Sequence, residues 1–194
     1  MAYVRHPSQL SPRLLSRAVL QIERVMVVDD GSTDGTAEAL LGLPVALLRN
    51  PTNRGKAASL WSGFQQALAA GASGVVTLDG DGQHAPEDIP RLLAEAVFHS
   101  DHVITGARRR DRRRAAFWRY TANRVADFWV SWAAGCSFSD SQSGFRVYPA
   151  SLLSRVKITH GKVRSFVFES KILMEATRAG HRSLAVPIEA FYRP

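Results

Sequence analysis

Two short apolar runs in this chain stop abruptly at clusters of aspartate and glycine, and that repeated layout limits the possible folds more than any other feature. The first is Val27-Val28-Asp29-Asp30-Gly31-Ser32-Thr33-Asp34-Gly35-Thr36, and the second is Val76-Thr77-Leu78-Asp79-Gly80-Asp81-Gly82-Gln83-His84. A β-branched run that ends in a turn-forming acidic segment reads as a buried strand delivering polar groups to its carboxyl end. Open parallel sheets bind ligands beyond the carboxyl ends of their strands. Carboxylates gathered there repel one another, a cost that a cation or ligand donors can offset.

The rest of the pattern supports the same class. Residues 13–22 read as a short amphipathic helix, 24–28 as a strand, 36–42 as a helix, and 45–48 as a strand. A helix over 56–70 ends at Gly71, and a strand over 74–78 runs into Asp79. Pro86 opens a helix over 86–98, with Glu87 and Asp88 in its first turn. A strand at 102–105 and a long aromatic helix at 115–134 follow. After a loop at 136–144 come a strand at 145–148, helices at 150–155 and 168–179, and a strand at 183–188. Alternating strands and helices predict an α/β layer fold around a mostly parallel sheet. With 194 residues, 45% of them hydrophobic, the chain is expected to form one domain with a substantial core.

Asp79 and Asp81 lie two apart in a glycine-spaced loop, so both carboxylates can turn toward one ion. Oxygen donors suit a hard cation such as Mg²⁺ or Mn²⁺, shared with phosphate oxygens. Gln83 and His84 offer a further carbonyl oxygen or imidazole. Asp-Gly-Asp-Gly taken alone is also a turn; its place after a buried strand, opposite a second acidic strand end, is what makes it a candidate site. Asp30 and Ser32 have a simpler reading as caps of the helix near Thr36, and Asn53 as a loop residue bonding its own backbone. The lone Cys136 reads as a core residue.

VVDDGSTDGT, NRGKAASL, TLDGDGQH and SGFRVYP, in this order and spacing, resemble family 2 glycosyltransferases of GT-A fold, above all the dolichyl- and polyprenyl-phosphate mannose or glucose synthases. The resemblance covers about residues 24–192. It implies a GT-A-type, Rossmann-like sheet flanked by helices. It implies an inverting enzyme that moves a sugar from a UDP- or GDP-linked donor to a polyprenyl phosphate or other acceptor. It matches Asp29 and Asp30 to the acidic pair contacting base and ribose, Ser32 and Asp34 to the same loop, and Asn53, Arg54, Gly55 and Lys56 to the segment flanking the nucleotide. Asp79 and Gly80 would face the donor. Asp79, Asp81 and Gln83 would hold the metal. Arg108 would face phosphate and Arg146 the acceptor side. Asp140 and Gln142 would help orient the acceptor, and Asp140 becomes the candidate base if that acceptor is a hydroxyl.

The net charge of +8 is concentrated, since Arg108, Arg109, Arg110, Arg112, Arg113 and Arg114 fall within seven residues. An anionic partner follows from such a run. No helix-turn-helix, RNP or zinc signature accompanies it, which argues against nucleic acid. The next helix carries Phe117, Val125, Phe128 and Trp132 on one face, a pattern expected to pack into the core. Trp118 and Trp129 lie to the side, where indoles meet lipid headgroups. No apolar span is long enough to cross a bilayer and no leader is evident, so a cytoplasmic location is expected, with membrane contact that is peripheral.

One departure from the family pattern stands out. Residues 1–12, MAYVRHPSQLSP, show neither the apolar opening strand nor the Pro-x-Tyr-Asn-Glu-like segment of the family, and residues 1–23 are atypical. The expectation is therefore a sheet lacking its first strand. That opens a second reading, a domain that binds nucleotide or lipid phosphate without turnover.

Overall fold

The computed structural model of the chain describes residues 2–4, 12–108, 117–156 and 165–189. The strands are β1 (Ala2–Val4), β2 (Val25–Asp29), β3 (Val45–Arg49), β4 (Gly74–Asp79), β5 (Val103–Arg108), β6 (Arg146–Pro149) and β7 (Ser183–Ile188). The helices are α1 (Pro12–Val19), α2 (Lys56–Ala69), α3 (Ile89–Phe98), α4 (Phe117–Ala134), α5 (Ala150–Arg155) and α6 (Ser165–Arg178). Among the described residues the strands form one sheet in the order β3-β2-β1-β4-β6-β5-β7. β6 runs antiparallel to both its neighbours, and the remaining pairs are parallel.

The expected absence of an opening strand is overturned. β1 lies between β2 and β4, with Val4 level with Asp29, and Tyr3 level with both Val28 and Asp79. Three residues are too short to show a period of two, so the sequence pattern could not reveal them. Their position joins the two acidic strand ends on one sheet edge. It also removes one of the two grounds for an incomplete nucleotide side; the other, the segment over residues 5–11, lies outside the described residues.

Alternation along the strands feeds a core on each face of the sheet. Val25 and Val27 join Ala18, Ile89 and Leu92 on one side. Val28 joins Leu60, Phe64, Leu152, Leu153, Ile172 and Leu173 on the other. Phe64 is fully buried and meets Tyr148 edge-on at a centroid distance of 5.2 Å. Truncating such a ring costs about 3–5 kcal/mol.

Local chemistry explains where the elements shift from expectation. The helix expected over 36–42 contracts to a 3-10 turn, Glu38–Leu40, bracketed by Gly35 and Gly42 at φ +78° and +83°. The helix opened by Pro86 divides into a 3-10 turn, Pro86–Asp88, and α3. β5 extends to Arg108 because it pairs with β7 through Ile188.

The core role expected for the aromatic face of α4 is corrected. Val125, Phe128 and Trp132 are exposed, as is Trp129. Among the α4 side chains that are described, Val130 and Ala134 pack against the core, and Cys136 just beyond is half-buried beside them. Over the second half of the helix the core is thus met by the smaller residues, with Phe128, Trp129 and Trp132 outside. Arg109 to Arg114 lie outside the described residues, and of Phe117 and Trp118 only the helical backbone is described.

Candidate functional site

The carboxyl ends of β2, β4 and β5 carry Asp29, Asp79 and Arg108. Because β6 is antiparallel, its first residue, Arg146, is level with Thr77 of β4 and Thr105 of β5. The chain entering β6 therefore crosses the same edge, bringing residues 140–145 to the acidic ends. Thr77 Oγ1 donates to the Gly144 carbonyl at 2.7 Å, and Ser143 Oγ to the Gly106 carbonyl at 2.7 Å, which fix the approach.

On the β2 side, Asp29 is fully buried, and its Oδ1 accepts from Ser32 N–H at 2.9 Å. Its Oδ2 makes no hydrogen bond among the described residues, although Arg49 Nε approaches to 3.3 Å. That leaves a buried acceptor for a ligand donor. Asp30 behaves differently from the expected nucleotide contact. Its Oδ1 accepts from Asn50 Nδ2 at 2.9 Å and Arg54 N–H at 2.8 Å, and its Oδ2 from Gly55 N–H at 2.8 Å. Both oxygens anchor the 50–55 loop. Burial alone would raise the pKa of this carboxyl, but the bonds from Arg54, Asn50, Ser59 and Gly55 outweigh it and hold the value below normal.

Gly31 needs to be glycine: at φ +77°, a Cβ would stand 2.7 Å from the Thr52 carbonyl carbon. The two loops therefore pack backbone against backbone. Neither Asp30 nor Ser32 caps a helix; the cap position of the 3-10 turn is Ala37. Ser32 is buried, its Oγ without a partner among the described residues. Asp34 is exposed and accepts from Thr36 Oγ1 at 2.9 Å, holding its own loop. Asn53 accepts from Gly55 N–H at 3.1 Å, as the loop reading anticipated.

On the β4 side, Asp79 is bracketed. Lys56, at the start of α2, places Nζ 2.9 Å from Asp79 Oδ1 and 2.7 Å from Glu169 Oε1 of α6. Burial disfavours the charged ammonium, but Asp79 and Glu169 outweigh this and raise the Lys56 pKa well above normal. Asp81 Oδ1 accepts from Gln83 N–H at 3.0 Å, which turns the loop around buried Gly80. His84 is buried against Phe145, their ring centroids 5.5 Å apart. Desolvation pushes its pKa down; Asp79, Asp81 and Asp140 pull it up and Arg108 pushes it further down. The charges of Asp79 and Asp81 and of the Arg108–Asp140 pair are thus all felt at one imidazole.

Arg108 and Asp140 are not separate tools, as the sequence suggested, but partners. Arg108 Nε and Nη2 donate to the two Asp140 oxygens at 2.7 Å each, and Arg108 N–H donates at 3.0 Å. Asp140 sits at φ +61°, the one described non-glycine residue with positive φ. Both oxygens of the candidate base Asp140 are thus engaged by a guanidinium fork. Arg146, expected on the acceptor side, is likewise engaged within the protein. It is fully buried and donates to the Ser141 carbonyl at 2.7 Å and the Glu169 carbonyl at 3.0 Å. It clamps the loop before β6 onto α6. Gln142 Nε2 bonds Ser141 Oγ and Ser170 Oγ, steadying that same loop.

Among the described residues no group of three or more His, Cys, Asp or Glu forms a ready-made metal cage. Asp79 and Asp81 nonetheless fit a hard cation of the Mg²⁺ type, which is commonly held by one or two carboxylates with substrate phosphates completing its shell. Sequence reasoning missed Glu169, which resembles a surface residue in an amphipathic helix. Its one signal is its place beside Phe168, on the side of α6 that buries Ile172 and Leu173.

The architecture is that of a GT-A-type glycosyltransferase fold. It superposes on glucosyl-3-phosphoglycerate synthase from Mycobacterium tuberculosis, solved with Mn²⁺, UDP and glucosyl-3-phosphoglycerate, with a TM-score of 0.70 at 15% identity, covering 100% of this chain and 71% of that one. The chain belongs to glycosyl transferase family 2, whose family model matches residues 10–159. It is 32% identical over 177 residues to an undecaprenyl-phosphate mannosyltransferase of Micrococcus luteus, spanning 84% of this chain and 70% of the relative. It is 29% identical over 173 residues to the polyprenol monophosphomannose synthase of Mycolicibacterium smegmatis, spanning 84% and 65%. Glycosyl transfer is the chemistry of the family.

Proposed function

We propose that this domain transfers a sugar from a UDP- or GDP-linked donor to a polyprenyl phosphate presented at the cytoplasmic face of a membrane. The observation that carries the reading is the convergence of Asp79 and Asp81 with Arg108 at one sheet edge, beside the buried acceptor oxygen of Asp29. The names of the relatives above support a polyprenyl-phosphate acceptor.

In this reading Asp29 receives a donor group of the nucleoside, while Asp30 and Gly31 hold the two loops that frame it. Asp79 and Asp81 would hold Mg²⁺ or Mn²⁺, with Gln83 beside them, and such a cation supplies charge neutralisation for a departing nucleoside diphosphate. Arg108 adds a fixed positive charge near the leaving group, kept in orientation by Asp140. An acceptor phosphate oxygen is already anionic at neutral pH, so its attack on the anomeric carbon, with inversion, needs no protein base. This agrees with the engagement of Asp140 by Arg108. Among the described residues no helix is long and apolar enough to cross a membrane. The exposed Phe128, Trp129 and Trp132, on the helix that follows the arginine run, suit a peripheral contact with anionic lipid.

The test is a panel of UDP- and GDP-sugars offered with a short polyprenyl phosphate, with and without Mn²⁺. Metal-dependent transfer is expected from one donor class, with loss in Asp79→Ala and Asp81→Ala. Undiminished metal-dependent transfer in either variant would overturn the site assignment. Donor binding in calorimetry without any transfer would favour a binding module.

A further inference from the structure

Glu169 is the one buried carboxylate at this edge to which the transfer reaction assigns no role. It lies one residue past Phe168, on a helix that turns Ile172, Leu173 and Ala176 into the core. Taking a carboxylate out of water is costly unless it is paired. Its Oε1 is 2.7 Å from Lys56 Nζ, while its Oε2 has no hydrogen bond among the described residues. Its position is fixed from behind, because its carbonyl accepts from buried Arg146 at 3.0 Å. The same ammonium reaches Asp79 Oδ1 at 2.9 Å. Two carboxylates from distant elements, β4 and α6, thus share one cation.

The sharing has an electrostatic consequence. An ammonium paired with Asp79 alone would cancel the charge that a divalent cation needs there. With Glu169 included, the trio of two carboxylates and one ammonium keeps a net single negative charge. The other oxygen of Asp79 lies against the backbone at Gly144 with no room for a side chain, since a Cβ there would stand 2.2 Å from Oδ2. Lys56 thus engages one oxygen of this carboxylate and Gly144 abuts the other.

We propose that Glu169 is a positioning residue for metal binding: by sharing the Lys56 ammonium it leaves Asp79 free to bind a divalent cation, without itself touching cation or substrate. The inference rests on the proposed reading of Asp79 as a metal ligand. Groups that orient metal ligands from behind typically govern metal affinity by about 10- to 100-fold.

Mn²⁺ titration by calorimetry of the whole protein, without donor, tests this directly. Glu169→Gln is expected to weaken Mn²⁺ binding by about 10- to 100-fold, while transfer recovers toward the wild-type kcat at saturating Mn²⁺. A merely structural role would instead lower kcat at every Mn²⁺ concentration. In the double variant Glu169→Gln with Lys56→Gln the competing ammonium is gone, and part of the Mn²⁺ affinity returns. Should Glu169→Gln not fold, Glu169→Asp keeps the charge and shortens its reach, and an intermediate loss is expected. Unchanged Mn²⁺ affinity in Glu169→Gln, or a double variant no tighter than the single one, overturns the inference alone. A wild-type protein that binds no Mn²⁺, with or without UDP, overturns the functional reading and this inference with it.

Discussion

A β-carbon placed on Gly144 would stand 2.2 Å from Asp79 Oδ2 and 2.8 Å from its Cγ, so the carboxylate and this backbone occupy adjoining space with no room for a side chain. The contact joins the end of β4 to the chain entering β6, and Thr77 Oγ1 reinforces it by donating to the Gly144 carbonyl. Gly144→Ala must push the carboxylate away. Displacing a reacting group by an ångström costs about 100-fold in rate. Initial-rate measurements are expected to show a loss of that order, with a cooperative melt retained.

The Arg108–Asp140 fork predicts a stability effect as well as a rate effect. Breaking one partner of a buried pair costs about 3–5 kcal/mol. The lower end applies here, because the Arg108 side chain keeps 14% of its surface in water. Asp140→Asn retains a residue that tolerates positive φ, so its expected loss of about 3 kcal/mol in urea unfolding reports the pair and not the backbone.

Acid stability should depend on Asp30. Its folded pKa lies below the normal value: burial opposes the charge, but the Arg54, Asn50, Ser59 and Gly55 bonds prevail. The unfolded group titrates near about 3.9. Its contribution is therefore complete above that pH and is lost as pH falls through the lower folded value. Urea titrations between about pH 2 and 5 are expected to show a shallower decline for Asp30→Asn than for the wild type, from a lower plateau at neutral pH.

The aromatic surface of α4 gives a separable prediction. Trp129 and Trp132 are exposed and pack edge-on at 5.9 Å between centroids. Replacing both by alanine should change folding stability by no more than about 0.5 kcal/mol. Partition to vesicles carrying anionic lipid is expected to fall at least about tenfold, since each buried aromatic contributes more than that. Equal vesicle binding would remove the membrane role from this face.

Much of the site could be read from the sequence because strand ends announce themselves. Val27-Val28 and Thr77-Leu78 running into Asp29 and Asp79 combine β-branched or apolar residues with a chemistry that a sheet interior rejects. The end of α2 followed from Gly71, and Pro86 marked the 3-10 turn that leads into α3. What escaped was three-dimensional pairing. Asp140 and Arg108 lie 32 residues apart, and nothing local tells that one carboxylate serves the other. Glu169 and Lys56 are further apart still. The α4 face misled for a physical reason: helical periodicity gives a stripe but not its direction, and here Val130 and Ala134 face inward. The helix expected at residues 36–42 failed because glycines at both ends favour a turn.

The three residues of β1 have a mechanical consequence. Among the described residues no hydrogen-bonded rung links β2 directly to β4; Ala2–Val4 supplies those between the two leaves of the sheet. Asp29 and Asp79 are thereby held two strand spacings apart, about 9.5 Å. This short splice acts as a spacer: under the proposed function it sets the distance between the end that would receive the nucleoside and the end that would hold the diphosphate.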